Sequence, residues 1–113
     1  MIFTESLRNS IQFSNVYKNG KSFVNKYLVI YILENNTSYN RLGISVSKKV
    51  GNSVVRHRIK RLIKESYRLQ ENMFISGIDI VVIARGSASS VSSFKEMDSA
   101  FLHLMRLHKV IMK

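Results

Sequence analysis

Between Arg41 and Arg68 the chain reads RLGISVSKKVGNSVVRHRIKRLIKESYR. This stretch changes its hydrophobic period partway along. Leu42, Ile44 and Val46 alternate with Gly43 and Ser45, the period of two that marks a strand. From Ser53 onward apolar residues recur every three or four positions, the period of a helix buried along one side. A strand therefore hands over to a helix across a short turn, and a fold must accommodate both. The stretch also holds nine of the eighteen basic residues and one acid, Glu65. On a helical wheel over residues 53–71, Val55, Ile59, Leu62, Ile63, Ser66 and Leu69 form one arc. Arg56, His57, Lys60, Arg61, Lys64 and Arg68 form the opposite one.

A helix that is merely soluble mixes both signs and gains from i,i+4 pairs. Here Arg56, Lys60 and Lys64 stand in one i,i+4 row, where like charges repel. A polyanion would relieve that repulsion, and counterion release would drive its binding. Just before the helix, Lys48, Lys49, Gly51 and Asn52 place cations beside the positive end of its dipole. The segment reads as an anion-binding turn, or as an ordinary strand-to-helix turn with Gly51 at positive φ, and the two are compatible. The whole chain of 113 residues carries a net charge of +11. Its apolar fraction of 45% supports a core, so the charge points to an acidic partner and not to disorder.

The length suits one domain over residues 1–113. Absence of cysteine excludes disulfides and thiolate metal sites. The longest apolar run, Tyr27 to Leu33, is too short to span a bilayer, so a soluble intracellular protein with no membrane partner is expected. A first helix is predicted from Ser10 to Lys18, with Asn9 as cap and Asn19-Gly20 as stop. An extended segment follows over residues 22–34, with Tyr27, Val29 and Tyr31 on one face. The turn at residues 35–38 makes the strand 41–46 its expected hairpin partner. Residues 78–84, IDIVVIA, read as a strand covered on both faces. A last helix starts near Ser93, with Ser93 and Glu96 as capping box. Phe94, Met97, Phe101, Leu104, Met105 and His108 are placed on its inner side. The predicted order is α-β-β-α-β-α, an α/β (α+β) single-domain sandwich.

Phe13, Tyr17 and Tyr31 are open to two readings. Aromatic residues at helical and strand spacing commonly belong to a core. Beside a basic groove they can also stack bases without selecting sequence. No catalytic constellation is visible: the carboxylates are dispersed, and His57, His103 and His108 have no metal-ligand spacing. A self-sufficient metal-dependent nuclease would need clustered carboxylates. A helix-turn-helix pair, as in a DNA-binding regulator, is also missing.

The segment from Gly43 to Glu65 resembles the signature of the bacterial ribonuclease P protein component, a strand ending in G-x-S-V followed by K-K-x-G-x-A-V-x-R-N-x-x-K-R-x-x-R. The matching residues are Gly43, Ser45, Val46, Lys48, Lys49, Gly51, Val54, Arg56, Lys60 and Arg61. Ser53, His57 and Lys64 depart from the usual alanine, asparagine and arginine. The first and third changes keep size or charge, whereas imidazole and amide hydrogen-bond with different geometry. The likeness extends to F-x-x-V-[FY]-x-x-G at Phe13, Val16, Tyr17 and Gly20, and to Ala84-Arg85 after the apolar strand.

The resemblance implies a ribosomal protein S5 domain 2-like fold with a left-handed βαβ crossover, against the general right-handed rule. It implies a cytoplasmic bacterial protein that acts in a ribonucleoprotein endoribonuclease, which removes the 5′ leader of precursor tRNA. Catalysis would rest with the RNA subunit and its Mg²⁺. The protein would be inactive alone and supply no catalytic residue, and no cofactor or metal site is assigned to it. One protein per RNA is expected, with no obligate homo-oligomer. Lys48, Lys49, Asn52, Arg56, His57, Arg58, Lys60, Arg61, Lys64 and Arg68 would face the catalytic RNA. Phe13, Tyr17, Tyr31 and Ser45 would hold the precursor-tRNA leader. A ribosomal protein shares the charge and fold class, but the loop-helix signature and aromatic set favour the ribonuclease P reading.

Overall fold

A computed structural model describes residues 3–112. The elements in chain order are β1 (Thr4–Ser6), α1 (Ser10–Asn19), β2 (Lys21–Val24), β3 (Leu28–Glu34), β4 (Asn40–Ser45), α2 (Ser53–Leu69), β5 (Ile78–Ala84) and α3 (Phe94–Leu107). Two short 3₁₀ turns, Glu71–Met73 and Gly86–Ser90, flank β5. The strands form one sheet in the order β1-β4-β5-β3-β2. β1 runs parallel to β4 and β4 parallel to β5, while β3 is antiparallel to both β5 and β2.

Local chemistry sets the helix starts as the sequence predicts. Asn9 Oδ1 accepts from Gln12 N at 3.0 Å, Asn52 Oδ1 from Val55 N at 3.0 Å and Ser93 Oγ from Glu96 N at 3.2 Å. Each bond satisfies a backbone donor that the first turn leaves unpaired. Glu96 does not close the capping box onto Ser93, because its Oε1 accepts from Ser92 N. That bond, with a further one from the Tyr27 hydroxyl, holds the Glu96 carboxyl below the usual range.

The pairing of strands differs from the hairpin read between residues 22–34 and 41–46. The extended segment is itself a hairpin, β2 and β3, turned where Asn25 Oδ1 accepts from Tyr27 N and Leu28 N. β5 then inserts between β3 and β4. Its seven positions are buried at all but one, on both faces, as its apolar run predicts, and it takes the centre of the sheet. β1 was not predicted, since three polar residues carry no periodic signal. Tyr27 does not share the Tyr31 face either; its hydroxyl bonds Glu96 on α3.

The two faces of the sheet are covered unequally. α2 and α3 pack on one face, burying Leu28, Ile30, Ile80 and Val82 against Ile59, Ile63, Phe101 and Leu104. Tyr67, absent from the predicted apolar arc, is fully buried there, edge-on to Phe101 at 6.4 Å. Its hydroxyl lies 2.6 Å from Thr4 Oγ1, which ties β1 to the core. Leu69, placed on that arc by sequence, is 54% exposed because α2 ends beside it. Phe94 is only half-buried. His108 caps α3, with Nε2 2.7 Å from the Ile30 carbonyl, and burial lowers its pKa. The opposite face carries α1 alone, over Leu7, Val16 and Val81 with Phe13, Tyr31, Leu33 and Ile83.

Asp79, in the buried strand, is 1% exposed and receives a bidentate pair from Arg41 at 2.8 and 2.7 Å. Asn35 Nδ2 donates a third bond at 2.9 Å. Removing one partner of such a pair strands a charge away from water, at a cost of about 3–5 kcal/mol. Arg41→Met is therefore expected to lower the unfolding free energy by about 3 kcal/mol. Adding Asp79→Asn should recover part of that loss, because the buried charge is gone. Urea denaturation of the single and double variants checks both outcomes.

Candidate nucleic-acid interface

The open part of the α1 face is a groove of about 530 Å³ lined by Ser10, Phe13, Ser14, Tyr17, Ile44 and Ser45. Its helical wall is the i, i+3, i+4, i+7 stripe of α1. Ser10 and Ser14 were not singled out from sequence, though they flank Phe13 on the same stripe. Tyr17 is 39% exposed. Its ring centroid lies 6.3 Å from that of Phe13, tilted by 48°, and 5.2 Å from that of Tyr31, nearly edge-on. The rings are therefore inclined facets and do not form a flat floor. Tyr31 belongs to the packed layer and buttresses Tyr17. Burial, and then the neighbouring Tyr31, push the Tyr17 phenol above its ordinary value. It remains a neutral O–H donor at physiological pH, free of charge repulsion toward a phosphate.

Two further hollows lie in succession between this groove and α2, each sharing lining residues with the one before. One, of about 170 Å³, is lined by Phe13, Leu42, Gly43, Ile44, Lys60 and Lys64 with residues 4–7 of the N-terminal strand and its exit. The next, of about 480 Å³, is lined by Val46, Ser47, Lys48, Arg56, His57 and Lys60. Phe13 and Ile44 are shared between the first two, and Lys60 between the last two. A third hollow holds Arg61, Lys64, Glu65 and Arg68 beside Thr4 and Ser6. Aromatic groove and basic helix thus meet along β4.

His57, Lys60, Arg61 and Lys64 are exposed along α2, and Arg56 is half-buried. The two ion pairs among the described residues, Arg41–Asp79 and Arg68–Glu65, engage none of these. Arg68 differs, since Glu65 holds it at 3.0 and 2.6 Å and the Glu65 carboxyl is pulled down in return. Arg58, assigned by sequence to the RNA-facing set, is directed elsewhere. Its guanidinium donates to the carbonyls of Val91 at 2.7 Å and Ser89 at 3.4 Å. Two residues of helix turn it about 200° from Arg56, so the spacing alone could have removed it.

Lys48 and Lys49 are exposed in the turn before α2, which is closed by Val50 N donating to Ser47 O at 3.0 Å. Asn52 contributes its side-chain oxygen to the cap. Gly51 is not at positive φ. A Cβ there would stand 2.8 Å from Val55 Cγ1, so close packing is what requires glycine.

A family model described as Ribonuclease P matches residues 1–108. The chain belongs to the ribonuclease P protein family. It is 64% identical over 108 residues to the ribonuclease P protein component of Lachnoclostridium phytofermentans, covering 96% of this chain and 92% of that one. It is 52% identical over 104 residues to the component of Clostridioides difficile, covering 91% and 90%. Among solved structures, the RNase P protein of Staphylococcus aureus superposes with a TM-score of 0.87 at 34% identity, covering 94% of this chain and 96% of that one. The Thermotoga maritima protein gives 0.82 at 35% identity, covering 90% and 96%.

The single α/β domain, with its mixed five-stranded sheet and three helices, is thus that of ribonuclease P proteins. The chain is the protein part of a ribonucleoprotein endoribonuclease, and the ribonuclease P RNA is its partner.

If the α2 row meets phosphates, Lys60→Ala is expected to weaken binding to the ribonuclease P RNA. It should flatten the log–log salt dependence by about 0.7 to 0.9 per lost contact. Stability should stay within about 0.5 kcal/mol of the parent. Arg58→Ala is expected to do the reverse, destabilising by about 1 kcal/mol through its lost hydrogen bonds while leaving the salt slope in place. Thermal melting and salt-titrated binding of both variants separate the two roles.

Proposed function

We propose that α2 and the turn before it dock on the catalytic RNA, while the α1 groove holds the 5′ leader of precursor tRNA. The observation that carries this reading is the join between the two surfaces. An aromatic groove with partly exposed Tyr17 opens through Phe13 and Ile44 into hollows bearing Lys60, Lys64, Lys48 and Arg56. A single strand in this channel meets cations for its phosphates and inclined rings for its bases. Base stacking of this kind tolerates any sequence, because every base offers a π-face. Ser10 and Ser14 from α1 and Ser45 from β4 supply hydroxyls to the same groove.

Cleavage belongs, in this reading, to the RNA subunit and the Mg²⁺ it binds, and the protein positions substrate. Among the described residues no three His, Asp or Glu side chains gather where they could hold a metal ion. No described helix is long and apolar enough to cross a membrane. In this reading the protein works in the cytoplasm, one copy to each RNA. Protein freed of RNA is expected to leave precursor tRNA intact at every Mg²⁺ concentration. Metal-dependent cleavage that persists through RNA-free purification would overturn this division of labour.

Tyr17→Ala tests the groove. Losing a ring on which a base stacks costs about 1–3 kcal/mol. The expected loss in holoenzyme affinity appears for precursor tRNA and is absent for mature tRNA, which has no leader. Equal losses for the two would show Tyr17 acting through the fold.

A further inference from the structure

Gly43 lies in β4 opposite Val81 of β5, and its Cα faces the α1 side of the sheet. A Cβ built on it would stand 2.5 Å from Phe13 Cζ, 2.6 Å from Phe13 Cε1 and 3.0 Å from Leu7 Cδ1. Carbon atoms in contact ordinarily lie about 3.5–4.0 Å apart. The rim of the Phe13 ring therefore fills the space in which any other residue would carry its first side-chain carbon. Backbone conformation does not require glycine there, since Gly77 is the only described glycine at positive φ. Glycine inside a strand weakens it and commonly marks a close approach. Here the approaching group is an aromatic ring that lines both the α1 groove and the hollow of Lys60 and Lys64.

We infer that Gly43 is a positioning residue for the leader channel: lacking a side chain, it seats the Phe13 ring flush on β4 and so sets the depth of the passage between the Lys60–Lys64 hollow and Tyr17. The inference rests on the leader-binding reading proposed above. A methyl group at position 43 would lift the ring by about 1 Å to restore ordinary contact. The lifted ring, or the tilted α1 that carries it, would narrow the channel at its midpoint. The main core on the other face, and the α2 face that meets the RNA subunit, would be left alone.

The test uses holoenzyme assembled with a bacterial ribonuclease P RNA, and measures affinity for precursor and mature tRNA. The variants are Gly43→Ala, Phe13→Leu, and the two combined. Leucine lacks the Cε and Cζ atoms that would collide, so it makes room for the methyl group. Gly43→Ala is expected to weaken precursor binding at least fivefold while leaving mature tRNA and the RNA subunit within twofold. In the Phe13→Leu background, adding Gly43→Ala should cost less than twofold further. An equal loss in both backgrounds, an equal loss for both tRNAs, or no loss from Gly43→Ala would overturn the positioning role. If Gly43→Ala alone does not assemble, recovery of assembly in the double variant supports the seat and continued failure sinks it. Tyr17→Ala separates the two levels. A precursor-selective loss there without one at Gly43 removes only this inference, whereas no selective loss at either removes the leader groove itself.

Discussion

One ten-residue helix cannot cover one face of a five-stranded sheet. Five strands span about 19 Å between the outermost at ordinary spacing, and a helix with its side chains is about 10 Å wide. α2 and α3 together close the other face, where the main core lies. α1 closes only the middle of its own face, over Val81 with Tyr31, Leu33 and Ile83 beside it. Beyond Gly43, which lies under the Phe13 ring, β4 at Ile44 and Ser45 is left beside the helix as the wall of a groove. The channel follows from coverage: it is the part of the sheet that no element is available to bury.

The neighbourhood of the basic helix follows from the same arrangement. α2 leaves β4 through a turn of a few residues and returns to β5, the strand beside β4. Its buried stripe, Ile59, Ile63, Ser66 and Tyr67, fixes its rotation against the sheet. With that rotation set, Lys60 and Lys64 reach over the β4 edge to the hollow that Phe13 borders from the other side. Ser66 earns its place on the buried stripe by bonding Asp98 of α3 at 2.6 Å, which turns a polar residue into an interhelical clamp. Among the described residues no ion pair relieves the repulsion along this row; in the proposed reading the RNA partner supplies the opposite sign.

Much of this was legible in the residues. All three helices were, because caps and 3.6-residue periods are local signals. The covering of β5 on both faces was legible too, because a run apolar on both faces must be covered on both. The hairpin between β3 and β4 was misread because proximity in sequence stands in for pairing when nothing longer-ranged is available. The partner of β3 was decided by burial, which inserted β5. Arg58 shows the same limit within a site. Its charge placed it with the RNA-facing set, but its direction points it at the carbonyls of Val91 and Ser89. Tyr31, assigned to the leader with Tyr17, packs edge-on against it, half-buried and outside the lining of the groove.

The sequence by itself determined the chemistry of the two surfaces and the family: a basic helix after a lysine-bearing turn, an aromatic stripe on α1, and a motif that identifies both. These are properties of residue type and spacing, and they survive without coordinates. Only the tertiary structure decided that the two surfaces adjoin through shared lining residues, that the rings are inclined facets, and that Gly43 is where ring and sheet meet. Those facts depend on which strand lies beside which and on atoms approaching within a few ångströms across 30 residues of chain, from Phe13 to Gly43. No local period encodes such an approach, because a glycine in a strand reads the same whether a ring or water stands over it.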